Sequence, residues 1–400
     1  MKSATIPLVG SFNQRGIDAQ AALTLNQDQR FLNCTFNVVQ NPVSGKSEVY
    51  LEKRPGWKQD SLVAAGSPST GLIKPTNINA AISAFGSSNS TIYYGTTSLG
   101  VITGLAIHFK ETAVSGVAHV MIRSSDGTGW YYADGAKDDL TYIGDTHNGT
   151  AVIDSLDNTT GIYIGQAWAG TGVGASARVL TVDSATQITL NVVSTADGTD
   201  ISFTKTPIAK ILDADFTTTG DYVSSFEEID GRLYYAVSSD GTIKNSDLNS
   251  VTSYPASGSL PVNMSPDEPR AVARQKNAIL VLGGASIEVY ANAGNAFGSP
   301  LQRQTSAFSR IGVLNQRSVT ILEDDIYFVS SPYEGDLGVY RIRGFQLERI
   351  STPTVDKIIG NISASGGTYY ANSFRMGGYP YLGLFLSTGT DSSEAILLES

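Results

Sequence analysis

The sequence predicts an all-β fold, a β-propeller of six to seven blades with a small inserted β module and an extended N-terminal arm. Helical periodicity is almost absent, and the one short helix that the sequence predicts lies around residues 19–30. Most of the chain consists of short β-branched and aromatic runs separated by Gly, Asn, Asp and Ser, a pattern typical of strands and turns. One of these runs recurs along the chain.

The recurring run has aromatic or β-branched residues at its centre. Its copies lie at 91–95, 129–133, 232–236, 278–282 and 325–329, with a weaker copy at 379–383. Four of the five steps between copies are close to the ~40–50 residues that a four-stranded propeller blade needs. The step from the second copy to the third is about twice as long, which indicates an insertion of about 60 residues.

The inserted segment also differs in charge from the rest of the chain. Between Lys137 and Lys205 the only basic residue is Arg178, whereas there are eight Asp residues. Four strand-like runs follow one another there, which predicts a small, platform-like β module at 146–206. The predicted order is therefore an N-terminal arm at 1–58, propeller blades 1 and 2 at 59–145, the module at 146–206 and the remaining blades at 207–400.

The composition limits the classes of function. With 37 acidic and 27 basic residues the net charge is −10, which excludes a protein whose whole surface binds duplex DNA. The single cysteine, Cys34, excludes intramolecular disulfides and multi-cysteine metal sites. No run of about 18 apolar residues occurs, and the first residues lack the apolar core of a secretory signal. We therefore expect no membrane span and synthesis in a cytoplasm.

The sequence predicts no catalytic, cofactor-binding or metal-binding residue, and we expect no cofactor. The three histidines, His108, His119 and His147, each lack a second His or Cys at ligand spacing. The adjacent acids at 227–228 and 324–325 are the nearest approach to carboxylate pairs. Adjacent residues of a strand point to opposite faces, so neither pair is expected to form the facing acid and base of a glycosidase.

Two further patterns have structural explanations. The run Ser-Ser-Asp-Gly-Thr occurs at 124–128 and again at 238–242. The first copy is similar to the Asp-box turn of sialidase propellers but differs by one residue in spacing, and the repetition favours a hairpin turn. We expect the Tyr-rich strands to pack blades together rather than to form a carbohydrate platform.

Several motifs occur in a fixed order along the chain. They are Asp28-Gln29-Arg30-Phe31, Lys53-Arg54-Pro55-Gly56, Ile229-Asp230-Gly231-Arg232-Leu233-Tyr234, Ser265-Pro266-Asp267, Gly283-Gly284-Ala285-Ser286-Ile287-Glu288-Val289-Tyr290, Ile311-Gly312 and Val355-Asp356-Lys357-Ile358-Ile359. In this order they resemble the tail-hub or nozzle proteins of short-tailed bacteriophages, also called packaged-DNA stabilisation or tail tubular B proteins. The resemblance is weak over 28–145 and strong over 208–360, and the 146–206 module has no counterpart in the lambdoid members.

The resemblance implies a structural virion protein that is not an enzyme. Such proteins form a homohexamer below the portal connector or adaptor, extend the ejection channel, retain packaged DNA and dock tail fibres or spikes. For this chain it implies a place in the virion tail, assembly in the bacterial host cytoplasm and a tip domain beyond the point that matches Ser400. Genomic double-stranded DNA would pass through the lumen without sequence-specific binding, because an acidic lumen repels phosphate.

Alternatives stay open at this point. A tail-associated glycan-binding or glycan-hydrolysing propeller needs Arg, Tyr and acids that converge at one end of the axis. The densest supply of Arg is Arg270, Arg274, Arg303, Arg310 and Arg317. A receptor binder would use the 146–206 module as its head. The Lys53-Arg54-Pro55-Gly56 motif either locks the first blade or contacts the connector.

Overall fold

The computed structural model describes two compact units of the chain. The described residues are 34–40, 47–53, 72–73, 75–78, 85–88, 90–216, 224–295, 297–330, 337–364, 368–376, 379–387 and 393–399. One unit comprises Met1–Gln59 with Thr352–Thr354, and the other comprises Asp60–Ser351 with Val355–Ser400. The predicted helix around 19–30 and most of the Lys53-Arg54-Pro55-Gly56 motif lie outside the described residues.

The first unit contains an antiparallel hairpin. Its strands are β1 (Cys34–Gln40) and β2 (Ser47–Lys53). Cys34 lies opposite Lys53, and the register continues without interruption to the pair formed by Gln40 and Ser47. Part of the predicted N-terminal arm is thus a regular two-stranded ribbon.

The second unit contains six antiparallel sheets, of which the first three are blades 1 to 3. Blade 1 consists of β3 (Leu72–Ile73), β4 (Phe85–Ser88), β5 (Thr91–Tyr94) and β6 (Thr97–Val101); blade 2 of β7 (Ala106–Val114), β8 (Val117–Ser124), β9 (Gly129–Ala133) and the end of β15 (Gly198–Lys210); and blade 3 of β16 (Glu227–Ile229), β17 (Arg232–Val237), β18 (Thr242–Asn245) and β19 (Ser259–Pro261). Within each blade, every strand pairs with the next in the order given.

Blades 4 to 6 repeat this arrangement. Blade 4 consists of β20 (Pro269–Gln275), β21 (Ala278–Gly283), β22 (Ile287–Asn292) and β23 (Leu301–Ser309); blade 5 of β24 (Val319–Leu322), β25 (Asp325–Val329), β26 (Val339–Arg343) and β27 (Gln346–Arg349); and blade 6 of β28 (Thr368–Met376), β29 (Tyr379–Ser387) and β30 (Ser393–Glu399). Each of these sheets is again a meander of consecutive strands.

The first strands of all six blades line one cavity of about 390 Å³. One residue from each of these strands is Ile73, Phe109, Glu227, Val272, Thr320 and Asn372. Six antiparallel sheets that each turn their first strand toward a common centre form a β-propeller. We call this space the axial cavity.

A central strand of each blade packs on both of its faces. In β21, Ile279 and Val281 join the apolar cluster between blades 3 and 4, whereas Leu280 and Leu282 join the cluster between blades 4 and 5. Because successive side chains of a strand point to opposite faces, two-sided burial requires an unbroken apolar run. The Tyr-rich strands follow the same rule, and Tyr234 and Tyr235 are both fully buried.

The recurring run does not occupy one position in every blade. The copies in β5 and β9 are third strands, whereas the copies in β17, β21 and β25 are second strands. Both positions lie inside a sheet and are buried on two faces, so their compositions are alike. The long step between the second and third copies therefore contains a change of strand position as well as the inserted module.

The module has its own core. Its strands are β10 (Thr141–Thr146), β11 (Val152–Asp154), β12 (Gln166–Gly170), β13 (Val179–Ser184), β14 (Gln187–Leu190) and the first part of β15. Tyr142, Trp168 and Phe203 pack against one another in its interior with tilted rings, whose centres are 5.5 and 5.7 Å apart. Its first strand begins at Thr141, whereas the sequence places the start of the module at 146.

Strand β15 joins the module to blade 2. Its early residues pair with β10, and its last residues, from Ile208 on, pair with β9. Gly165 packs against this strand, where a Cβ atom would lie 1.8 Å from the carbonyl oxygen of Lys210. The Tyr131 hydroxyl of blade 2 donates a hydrogen bond to the Ile164 carbonyl, and the Arg178 guanidinium lies 5.0 Å from the ring centre of Trp130. The contact between the module and blade 2 is therefore formed by backbone and side-chain atoms of both.

One α-helix occurs in the described part of the chain, α1 (Pro353–Ala364), and the sequence analysis did not predict it. The available signals are the proline at the first helical position and the spacing of Val355, Ile358, Ile359 and Ile362. β-Branched side chains such as these have a low helix propensity and favour strands. Ile359 and Ile362 are buried with residues of blades 5 and 6. This helix is too short to span a membrane, and no other helix that the structure describes could do so.

Gln316 connects three blades beside the axial cavity. Its side-chain oxygen accepts hydrogen bonds from the backbone N–H groups of Ser225 and Val272, at 3.1 and 2.9 Å. All of these groups are buried, so the loss of the acceptor would leave two donors unsatisfied.

We expect Gln316→Met to lower the free energy of unfolding by about 2–4 kcal/mol, because methionine fills the space but accepts no hydrogen bond of comparable strength. Urea denaturation followed by tryptophan fluorescence measures this. The matched control is Gln346→Met on the exposed strand β27, which should change stability by less than about 0.5 kcal/mol. Equal effects of the two substitutions would contradict the role given to Gln316.

Candidate functional site at the propeller axis

Arg317 reaches the axial cavity from the turn that precedes β24. This 3₁₀ turn (Gln316–Ser318) is capped by Asn315, whose side-chain oxygen accepts from the Ser318 N–H group at 3.1 Å. The Arg317 guanidinium donates to the Tyr370 hydroxyl oxygen at 2.8 Å, and its central carbon lies 5.2 Å from the centre of that ring. Tyr370 therefore holds the guanidinium against the wall of the cavity.

An ion pair crosses the axial cavity between blades 2 and 3. Lys110 Nζ lies 2.7 Å from Glu227 Oε2, and the Glu227 side chain is only 5% exposed. Glu228, the neighbour of Glu227, points away and accepts from the Gly231 N–H group instead. The prediction that these adjacent acids face opposite sides of their strand agrees with this arrangement.

The second pair of adjacent acids likewise does not form a facing pair. Asp325 accepts from Arg343 at 2.6 Å within blade 5. Asp324 lies in the turn before it with a positive φ of 67°, and its carbonyl oxygen accepts from the buried Gln275 side chain. Asp325 therefore links β25 to β26 within blade 5, and the backbone of Asp324 contacts blade 4.

His108 lies in the wall of the axial cavity, two residues before Lys110 on β7. Burial, together with the positive charges of Lys110, Arg123 and Arg317, lowers the pKa of His108 to about 3. The imidazole is therefore neutral at physiological pH, and the surroundings of His108 carry positive potential.

The other two histidines lie elsewhere. His119 Nδ1 lies 2.9 Å from the Val117 carbonyl oxygen, and burial lowers the pKa of His119. In the module, a hydrogen bond and the charge of Asp154, 2.9 Å away, raise the pKa of the exposed His147. Among the described residues, no group of three or more His, Cys, Asp or Glu side chains is placed to hold a metal ion.

Of the five arginines that the sequence analysis selected, Arg317 lines the axial cavity and the others lie elsewhere. Arg270 donates to the carbonyls of residues 313 and 314, and Arg274 donates to the Glu228 carbonyl, so both lie between blades. Arg303 donates to the Asn263 side chain, and Arg310 is exposed. The structure thus places one arginine of this set in the lining of the axial cavity, in contact with Tyr370.

The motif at 265–290 builds the β21–β22 turn of blade 4. The Asp267 carboxylate accepts from the N–H groups of Ala285 and Ser286, at 2.7 and 3.0 Å, and from the Ser286 hydroxyl at 2.8 Å. A Cβ atom on Gly283 would lie 2.2 Å from the same carboxylate, so only glycine fits there. These residues hold a turn in place and form no cavity.

Glu288 continues this arrangement on the next strand. Its carboxylate is buried, accepts from the Met264 N–H group at 2.7 Å and accepts from the Tyr290 hydroxyl at 2.8 Å. Arg303 lies 3.6 Å away and supplies the opposite charge. The Glu-x-Tyr part of the motif therefore ties the loop after blade 3 to blade 4.

The Ser-Ser-Asp-Gly-Thr runs form turns, as predicted. In blade 2 the Asp126 carboxylate accepts from the N–H and hydroxyl groups of Thr128, at 3.1 and 2.7 Å. The Thr128 hydroxyl in turn accepts from the indole N–H group of Trp130 at 2.8 Å. In blade 3 the second run closes the β17–β18 hairpin through a backbone hydrogen bond from Gly241 to Ser238.

Sequence reasoning did not anticipate the group formed by Lys110, Glu227, Arg317 and Tyr370. These residues are far apart in the chain and meet only because four different first strands, with their flanking turns, share the axis. The one local signal was the spacing of His108 and Lys110, which places both on the same face of a strand.

His108 gives the stability of the fold a pH dependence of known sign. Its pKa is lower in the folded chain than in the unfolded chain, so the unfolded state takes up a proton first as the pH falls. We expect the free energy of unfolding to fall as the pH drops below about 6.5, by up to about 1.4 kcal/mol per pH unit from this group. His108→Gln should flatten this dependence in denaturant titrations at a series of pH values.

His147→Gln is the matched control for this prediction. The pKa of His147 is raised in the folded chain, so its contribution has the opposite sign, and its removal should not flatten the curve. Parallel curves for His108→Gln and the unsubstituted chain would contradict the burial of a neutral imidazole at position 108.

Comparisons with known proteins place these observations in context. No curated protein matches the sequence. The solved structures with a similar chain trace include the phage phi92 endosialidase, at 10% identity and a TM-score of 0.26, with 79% of this chain and 52% of that chain covered. This chain thus spans about half the length of the endosialidase.

Two further structures are similar over most of their length. Virginiamycin B lyase from Staphylococcus aureus has 10% identity and a TM-score of 0.33, with 83% of this chain and 96% of that chain covered. The AfRom2 CNH domain has 12% identity and a TM-score of 0.26, with 78% and 94% covered. Likenesses at these TM-scores carry no argument about function.

The decisive comparison is with a protein family. A family model described as bacteriophage P22 Gp10, β-propeller, matches residues 164–366. The matched region starts inside the module and extends through blades 3 to 5 and α1, including the Asp267 turn. It spans just over half of the chain, and the chain therefore belongs to this phage stabilisation family of β-propellers.

Proposed function

We propose that the chain is a non-catalytic hub or nozzle subunit in the tail of a short-tailed phage. In this proposal six copies form a ring beneath the portal connector, extend the channel through which DNA leaves and retain the packaged genome. The observation that carries the proposal is the family match over residues 164–366. In that region the motif residues serve blade architecture, which suits a protein selected for its shape and its contacts.

The charge of the chain supports passage of DNA. Each copy has a net charge of −10, so a ring of several copies would be strongly acidic. An acidic lumen repels phosphate, so duplex DNA would slide along it, whereas clustered Lys and Arg would bind and retard it. The lumen of such a ring lies between subunits and is distinct from the axial cavity inside each propeller.

The module supports a role in docking a tail fibre or spike. Strand β13 pairs with β14 and is the terminal strand of its sheet in the described residues. Leu180 and Val182 lie two residues apart on it and are 44% and 39% exposed. Both are exposed apolar side chains on a strand at the edge of a sheet, a feature that proteins commonly use for contact, and we call these two residues the docking strip.

Cryo-electron microscopy of intact virions, reconstructed without imposed symmetry around the portal vertex, tests the hub. We expect a ring of six propellers below the connector, with a continuous channel and with the modules on the outside. Density for this chain along the fibres, or no density for it in the virion, would overturn the hub. In that case hydrolysis of host surface glycans becomes the next assay, because it tests the alternative function.

The docking strip can be tested separately. We expect Leu180→Lys/Val182→Lys virions to assemble tails and retain DNA but to lose their fibres or spikes, because two charges on the strip prevent apolar burial. Val101→Lys is the control, since Val101 is an equally apolar, 67% exposed residue of blade 1. Fibre occupancy by electron microscopy and adsorption to host cells are the readouts, and normal occupancy in the double variant would exclude this strip as the docking site.

A further inference from the structure

The axial cavity carries a net positive charge in a chain that is acidic overall. Its charged lining residues are Lys110, Arg317 and Glu227, and His108 is neutral at physiological pH because of its low pKa. Two positive charges therefore face one negative charge. The Lys110 and Glu227 charges are 2.7 Å apart and compensate each other.

Arg317 has no such partner. The one hydrogen bond that the structure gives its guanidinium goes to the neutral Tyr370 hydroxyl, and in the described part of the chain no carboxylate oxygen lies within 4 Å of it. A guanidinium has five N–H donors, so most of them stay available toward the cavity. A half-buried cation without a counter-ion loses hydration without an electrostatic gain, which an anion in the cavity would offset.

The guanidinium is also held in position. Gln316 and Asn315 fix the turn that carries Arg317, and Tyr370 fixes the far end of the side chain. A donor that is ordered before binding loses little conformational entropy when a ligand arrives. This is the arrangement of a preformed binding group rather than of a mobile surface side chain.

The remaining lining is largely apolar. It includes Ile73, Phe109, Val272, Ile321 and Phe385, which come from five different blades or their strands. The volume of about 390 Å³ lies within the range of ligand cavities, and apolar walls with a few placed polar or charged groups are typical of sites for small organic ligands.

We propose that the axial cavity binds a small organic anion, with its carboxylate or phosphate group on the Arg317 guanidinium and its apolar part against the cavity walls. This site is independent of the hub role, because it lies inside each propeller and not between subunits. Guanidinium recognises both carboxylate and phosphate through paired N–H donors, so the experiment separates the two chemistries.

The test is an NMR titration of the full chain with benzoate, phenyl phosphate and the uncharged benzyl alcohol. The three histidines report on different places, because His108 lies in the axial cavity, His119 beside the module and His147 on the module surface. We expect one of the two anions to move the His108 ring signals at lower concentration than the other, and to bind at least about tenfold more tightly than benzyl alcohol. The signals of His147 should stay in place.

The groups around His108 predict a second readout. Lys110 on its own strand, Arg123 on β8 and Arg317 before β24 lower its pKa, while Glu227 and Tyr370 face the same cavity from β16 and β28. A bound anion offsets the positive charges, so the pKa of His108 should rise on saturation. Arg317→Gln should weaken binding at least about tenfold, and Arg310→Gln, which removes an exposed arginine, should leave it unchanged.

If Arg317→Gln does not fold, two other measurements test whether Arg317 binds the anionic group. One is the affinity of the Arg317→Lys variant, and the other is the comparison of the anions with benzyl alcohol in the unsubstituted chain. Three results would each overturn the proposal. They are equal binding of charged and uncharged ligands, signal shifts at His119 or His147 instead of His108, and no response to either anion at millimolar concentration. None of these results bears on the place of the subunit in the virion, so failure here is distinguishable from failure of the hub.

Discussion

Two-sided burial of the inner strands is the constraint on which the propeller depends. A strand such as β21 buries Ile279 and Val281 against one neighbouring blade and Leu280 and Leu282 against the other. Neither cluster can form within a single four-stranded sheet, because each needs the face of the next blade. Stability therefore comes from contacts between blades, and a blade on its own would expose an apolar face to water on both sides.

This constraint also decides where polar groups can be placed. Many of them lie in turns, where Asp267 and Asp126 hold the backbone, and at the axis, where the first strands converge. Where a buried polar side chain does lie between blades, as Gln316 does, it satisfies backbone donors of its neighbours. Motif residues that identify the family in sequence therefore act mainly on the geometry of turns.

The strands and the inserted segment both leave local traces in the sequence. Apolar and aromatic runs mark strands buried on two faces, and the near-absence of basic residues marks the module. Local sequence patterns did not distinguish second strands from third strands of a blade. They also did not predict α1, because β-branched residues favour strands. The residues that line the axial cavity could not be predicted from local sequence patterns. Lys110, Glu227 and Tyr370 come together only through the order of the blades around the axis. Ring geometry, and not any stretch of sequence, creates that site.

Strand β15 runs for 13 residues through two layers of structure, and this has a mechanical consequence. One continuous backbone belongs to the sheet of the module at its start and to the sheet of blade 2 at its end. A pull on the module along this strand loads a row of hydrogen bonds together, so they must break at once rather than one after another. The module and blade 2 are thus mechanically coupled through one strand. A force applied to the module would be transmitted to the propeller along β15.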